Sequence, residues 1–197
     1  MTPETQPPAR PPSSFAIDVP EALVARAQRG DVQALEQIYR HFERPVFNLA
    51  LRIAGDRELA AEVLQDTMLK VIDHIRNFRG GSPFWGWLRQ IAVNEALMQL
   101  RRGRRQSCEL SNEHEHGFGE DAGPLPPAAA DAAQLHRALG ALPSATRSVL
   151  WLYHAEGYTH EEIAALMQRT PSFSKSQLAR GTRRLRSLLQ AEEAVHA

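Results

Sequence analysis

The side chains in this sequence best placed to do chemistry are cations and small polar groups on helical spacing, in the stretch THEEIAALMQRTPSFSKSQLARGTRRLRSLL, residues 159–189. Thr159 followed by Glu162 is a capping box that opens a short helix, a turn falls near Gln168 to Pro171, and a second helix follows. The polar side of that second helix is Ser, Lys, Gln and Arg. Arg and Gln can read base edges in pairs of hydrogen bonds, while Ser and Lys hold phosphates, so a helix of this kind suits the major groove of DNA. Ser174, Lys175 and Gln177 lie near its N-terminal end, where base contacts are made, and Leu178, Leu185 and Leu188 take the core side. The same pattern also fits an amphipathic helix pair with a solvated basic face.

A second group spans residues 78–102: Phe78, a Gly-rich basic loop, Phe84, Trp85 and Trp87, then arginines. Rings that stack on bases, interleaved with cations that hold the backbone, suit single-stranded DNA. Helical spacing places Phe84, Trp87 and Leu88 on the face of Ile91, which makes them core residues. Trp85 lies about 100° off that face, beside the loop, and is the ring available to a base. Other chemistries find no footing. His160-Glu161-Glu162-Ile163-Ala164 begins like a zinc-protease motif but has Ala164 where the second histidine belongs. Glu113, His114, Glu115 and His116 fall in a flexible acidic segment without the geometry of a metal site. With no phosphate-binding loop, nucleophile elbow or dinucleotide fingerprint, the expectation is a protein without catalytic residues, metal or cofactor.

These groups require helices to carry them. Residues 1–20 contain six prolines and read as a disordered tail, with Asp18 and Pro20 starting the first helix. Leu35, Ile38, Tyr39 and Phe42 form one apolar stripe before Pro45 opens the next segment. Asp56 then caps a long helix whose buried face is Ala60, Val63, Leu64, Met68, Val71, Ile72 and Ile75. Arg79-Gly-Gly-Ser-Pro83 breaks the helix, and another runs from about Pro83 to Leu100 and the arginines beyond it, with Glu95 on its apolar side. Residues 106–131 read as a flexible linker. Leu135, Leu139 and Leu142 begin a second helical block, Pro143 opens a helix that Gly157 ends, and the last helix runs from about Ser172 to Gln190. The fold class expected is all-α: two small helical domains, 21–105 and 132–190, joined by the acidic linker 106–131, the second containing a helix-turn-helix.

The formal net charge is zero over 197 residues, yet the charges are segregated. Residues 76–105 carry seven arginines against one acid, residues 106–131 six acids and no Lys or Arg, and residues 169–186 six basic residues and no acid. Two basic surfaces with an acidic spacer between them match the two groups above. The linker reads as a solvated spacer. A single cysteine, Cys108, reads as a structural or idle thiol. No apolar run is long enough to span a membrane and no signal sequence opens the chain, so a cytoplasmic location without membrane insertion is expected.

Taken in order, these motifs resemble the extracytoplasmic-function (ECF) class of bacterial RNA polymerase sigma factors, over residues 21–102 and 135–189. AQRGDVQALEQIYRHFERPVFNLALRIAGDRELAAEVLQDTMLKVIDHI is similar to the opening helices of that family. FRGGSPFWGWLRQIAVNEALMQLRR resembles the segment that melts and reads the minus-ten element. The stretch from LPSATRSVLWLYHAEGYTHEEIAALM to RRLRSLL resembles the domain that reads the minus-thirty-five element. The resemblance implies an alternative sigma factor that binds core RNA polymerase and promoter DNA, is held by an anti-sigma factor, and is a monomer when not bound to polymerase. It places polymerase contacts on Glu62, Gln65, Asp66, Leu69, Lys70 and Asp73. Minus-ten contacts fall on Phe78, Arg79, Ser82, Pro83, Trp85, Arg89, Asn94, Arg101 and Arg102. Minus-thirty-five contacts fall on Ser172, Ser174, Lys175, Ser176, Gln177, Arg180, Arg183 and Arg184. Four positions depart from the family pattern: Gln168 stands where glycine is usual in the turn, Trp85 where a basic residue is usual, and Pro171 and Phe173 are uncommon at the start of the reading helix. A repressor or activator acting without polymerase would need a dimer helix or ligand pocket, and neither pattern is present. A purely protein-binding helical adaptor leaves the arginine blocks unexplained.

Overall fold

The structure, a computed structural model, describes residues 13–109 and 127–196. Residues 1–12 and 110–126, with Glu113, His114, Glu115 and His116, lie outside the described residues. In chain order the helices are α1 (Glu21–Gln28), α2 (Val32–Ala54), α3 (Arg57–His74), a 3-10 turn (Ile75–Asn77), α4 (Phe84–Glu109), α5 (Pro127–Gly140), α6 (Ser144–His154), α7 (His160–Met167) and α8 (Pro171–His196). No strand occurs among the described residues.

Side chains at the helix ends define the boundaries. Asp31 accepts from the backbone N–H groups of Gln33 and Ala34 and is gripped by Arg26, which fixes the sharp entry into α2. Gly55 closes α2 at φ +75°, and Asp56 caps α3 by accepting from Leu59 N–H. Pro45 does not open a new segment: α2 runs through it without a break. Proline inside a helix costs about 3 kcal/mol, whereas burying a large apolar side chain yields about 1.5–3 kcal/mol. Phe42, Val46, Leu49 and Ile53 are all buried along this stripe, so continuing the helix wins.

α2, α3 and α4 pack on one another around an aromatic group. Phe42 meets Phe84 edge-on at 6.0 Å, and Phe78 lies 5.3 Å from both Phe84 and Trp87. Phe15 joins it, fully buried and stacked on Phe42 at 6.4 Å. Residues 13–20 are therefore not a disordered tail: Phe15, Ile17 and Val19 alternate inward while Ser14, Ala16 and Asp18 face out.

In the second half α8 packs on α6 and α7. A side chain at Gly181 would put its Cβ 2.6 Å from Thr146 Cγ2, so glycine there is what lets α6 and α8 approach. The two halves are not separate bodies. Val149, Leu152, Tyr158 and Ile163 share one core with the first half. Arg147, buried on α6, donates to Arg52, Ile53 and Ala54 carbonyls at the end of α2 and to Gly140 and Leu142 carbonyls behind it. A cation set against the negative end of a helix is favourable, and here it pins the second half to the first.

Candidate nucleic-acid interface and docking face

The turn before α8 is built as a capping motif. Thr159 and Glu162 form the reciprocal capping box at the start of α7, and Gln168 ends it in the left-handed region at φ 55°, ψ 48°. Gln168 is the one non-glycine with positive φ among the described residues. On α8, Ser172, Lys175, Ser176, Arg180, Arg183 and Arg184 are exposed, forming a polar and cationic face opposite Leu178, Leu185 and Leu188. Two expected contacts are placed differently. Ser174 is fully buried, its hydroxyl 2.9 Å from His160 Nδ1, which corrects its assignment as a DNA contact. Gln177 is half-buried and accepts a hydrogen bond from Thr146 at 2.6 Å.

The 79–83 loop leaves Arg79, Ser82 and Pro83 exposed, with Gly80 at φ +74° permitting the turn. Phe78 belongs to the aromatic core, not to the loop surface. Trp85 is half-buried against the core, and the Arg89 guanidinium lies 5.3 Å from its ring, so the ring is less open than its helical position implied. Arg89 is itself engaged. It donates to Glu156 O at 2.9 Å, faces the Glu156 carboxylate at 3.7 Å and lies over Tyr158. Burial raises the Tyr158 phenol above its ordinary value, against the lowering pull of Arg89. Glu156, almost fully buried, also accepts from Ser13 Oγ at 2.7 Å. Arg101 donates to Leu166 O across the same seam, while Asn94 and Arg102 face solvent.

α3 presents a third surface. Glu62, Gln65 and Asp73 are exposed around two large apolar side chains, Leu69 at 52% and Ile72 at 48% exposure. Ile72 was expected in the core. It sits one residue past Val71, and α3 has too few helices around it to cover both. Lys70 and Asp66 have structural partners: Lys70 Nζ lies 2.5 Å from the buried Glu95, and Asp66 accepts from Gln99. An apolar pair framed by polar groups on a helix is the form of a protein-docking face.

Phe15, Glu156, Arg147 and His160 all matter to these surfaces; sequence reasoning passed over the first three and weighed His160 only as a metal ligand. The alternation Phe15-Ile17-Val19 was a usable signal for the first. Nothing local marks Arg147 or Glu156, whose partners across the seam lie 67 to 143 residues away along the chain. Among the described residues, no helix is long and apolar enough to cross a membrane and no group of three metal-binding side chains occurs.

Comparison with known proteins bears on the same segments. Residues 38–106 match sigma-70 region 2, and residues 132–185 match sigma-70 region 4. The RNA polymerase sigma-H factor of Pseudomonas aeruginosa is 30% identical over 181 residues, covering 86% of this chain and 93% of the relative. The ECF RNA polymerase sigma factor SigE of Mycolicibacterium smegmatis is 31% identical, covering 87% and 69%. Among solved structures, the sigma factor RpoE in complex with the anti-sigma factor NepR from Bartonella quintana superposes at TM-score 0.58 with 26% identity, covering 79% of this chain and 96% of that one. CnrH in complex with the cytosolic domain of CnrY shares the fold at TM-score 0.52 and 22% identity, covering 86% and 96%. The sigma factors are not in general a family of enzymes, and the chain belongs to them: it is an ECF-class alternative sigma factor, which directs transcription initiation with RNA polymerase.

Proposed function

We propose that residues 21–105 dock on core RNA polymerase and read the minus-ten element, that the part of 106–131 between the end of α4 and the start of α5 serves as a tether, and that 132–190 read the minus-thirty-five element. Polymerase docking rests on Leu69 with Glu62, Gln65 and Asp73, extended to Ile72. Lys70 and Asp66 stiffen the helix behind them. The minus-ten strand meets Arg79, Ser82, Pro83, Asn94 and Arg102, with Trp85, Arg89 and Arg101 joining once the second half moves away. Ser172, Lys175, Ser176, Arg180, Arg183 and Arg184 meet the upstream duplex. In the closed arrangement Arg89 and Arg101 are spent on the seam, so opening accompanies promoter reading. A relative solved with an anti-sigma factor supports the same class of partner for this chain. A cytoplasmic, non-catalytic protein that is monomeric off polymerase fits this role.

The observation that carries the reading is the exposed Leu69 and Ile72 pair, because an independent DNA-binding regulator has no use for it. Co-elution with bacterial core polymerase and discrete transcript starts on genomic DNA, absent with core alone, are the expected results. L69D/I72D is expected to weaken co-elution by roughly 100-fold while leaving helicity unchanged, as for a buried hot spot of ~2–3 kcal/mol. Salt-sensitive duplex binding by the chain alone, without co-elution, would overturn it in favour of an independent regulator.

A further inference from the structure

Beside the reading face of α8 lies an open cleft bounded by the end of α6, the start of α7 and the flank of α8. His154, His160, Lys175, Thr182, Arg183 and Arg186 are among the residues that line it, and among the described residues no carboxylate does. Lys175 and Arg186 are separated by eleven residues, about 16 Å along the helix. That is room for several consecutive phosphates of one strand, spaced about 3.4 Å along the duplex axis.

His160 is held in this cleft from two sides. Its ring stacks on Tyr153 of α6, centroids 4.8 Å apart and planes 17° from parallel. Its Nδ1 lies 2.9 Å from the Ser174 hydroxyl on the buried side of α8. The ring is thereby oriented by both neighbouring helices, and Nε2 is its remaining polar atom. The charged and titratable groups near it are Tyr153 and His154 on α6, Glu161 and Glu162 on α7, and Lys175, Arg183 and Arg186 on α8. Glu162 is turned back to cap Thr159 N–H at 2.7 Å.

We propose that His154 and His160, with Lys175, Arg183 and Arg186, form a clamp for the phosphate backbone of duplex DNA whose grip strengthens as the two histidines gain protons. The inference rests on α8 being the face that meets upstream DNA, and it adds a regulation of that face: promoter affinity that rises with acidity. Histidine changes charge within the range of about pH 5 to 8. Each further phosphate neutralised by the protein steepens the fall of log affinity with log salt by about 0.9.

The test is fluorescence anisotropy of the full chain on a mixed-sequence duplex of about three helical turns, across a salt series starting low, at about pH 5.5 and about pH 8. The wild-type salt slope is expected to be steeper at the lower pH by about 1 to 2, and H154Q/H160Q to lose that difference. K175Q is expected to flatten the slope by about 0.9 at both pH values and keep the difference, because lysine does not titrate in this range. A wild-type slope indifferent to pH, a pH effect that survives in the double variant, or no duplex binding at the lowest salt would overturn the clamp. Transcript starts by wild-type chain with core polymerase at about pH 8, where free histidine is neutral, report separately on the sigma reading.

Discussion

Arg147 is expected to join the two halves into one folding unit, and Arg147→Ala tests this directly. Its guanidinium donates to the carbonyls of Arg52, Ile53, Ala54, Gly140 and Leu142, of which the bonds to Ile53 and Leu142, both 3.3 Å, lie in buried surroundings. The acceptors Arg52, Ala54 and Gly140 are at part-buried bonds, and water replaces the arginine there at little cost. A buried carbonyl left without a donor costs about 1–3 kcal/mol, and bonds as long as these belong near the lower end. Two of them amount to about 2–3 kcal/mol. For a chain of this size that is a fall in melting temperature of roughly 5–10 °C. Because the bonds lost to Arg52, Ile53 and Ala54 are those between the halves, the single unfolding transition expected of the wild type should split, the second half unfolding first. Circular dichroism and differential scanning calorimetry of the full chain read both effects. Gly55 provides an internal check: a Cβ there would collide with the Arg147 guanidinium, on a residue at φ +75°. Gly55→Ala should destabilise the chain, and in combination with Arg147→Ala the two losses should be less than additive. A loss below about 0.5 kcal/mol with an unsplit transition, the size of an ordinary surface substitution, would refute the assignment of Arg147 as the peg.

Phe15→Ala empties a fully buried site beside Phe42 and should cost about 3 kcal/mol; a urea midpoint unchanged from wild type would show that residues 13–20 do not pack. Gln168→Gly relieves a left-handed backbone that costs a side-chain-bearing residue about 1–2 kcal/mol, less the extra entropy glycine loses on ordering. A gain of about 0.5–1 kcal/mol is expected, and a loss in chemical denaturation would mean that the Gln168 side chain contributes more than its backbone strain. Burial, and after it the charge of Arg52, hold the His136 imidazole below its ordinary value. The unfolded chain then binds more protons than the folded one, so this part of the stability is complete above about pH 6.5 and is lost as pH falls below it. Urea midpoints at about pH 7.5 and 5.5 should differ in that direction, less so in His136→Gln, and equal midpoints in both chains would count against the buried placement.

Much of the local architecture was legible because its causes are local. The Asp56 cap, the Thr159 and Glu162 capping box, the break at Gly80 to Pro83 and the turn at Gln168 each depend on residues within one helical turn of each other. Pro45 misled because a strong local rule met a stronger tertiary term, the buried stripe of α2. Ile72 misled for a related reason: periodicity says which side chains share a face, while neighbouring helices decide how much of that face is covered.

The order of motifs by itself determined the fold class, the family and the exposed cations of α8, since amphipathic spacing and charge leave few other arrangements for such helices. Only the tertiary structure decided which of the candidate contacts are available. Ser174 turned inward to orient His160, Lys70 was drawn to a buried carboxylate, and Arg89 and Arg101 were taken up by a seam whose partners are distant in sequence. The physical reason is that a cation's exposure depends on whether some remote carbonyl or carboxylate comes within about 3 Å of it, and that distance is set by packing, not by spacing along the chain.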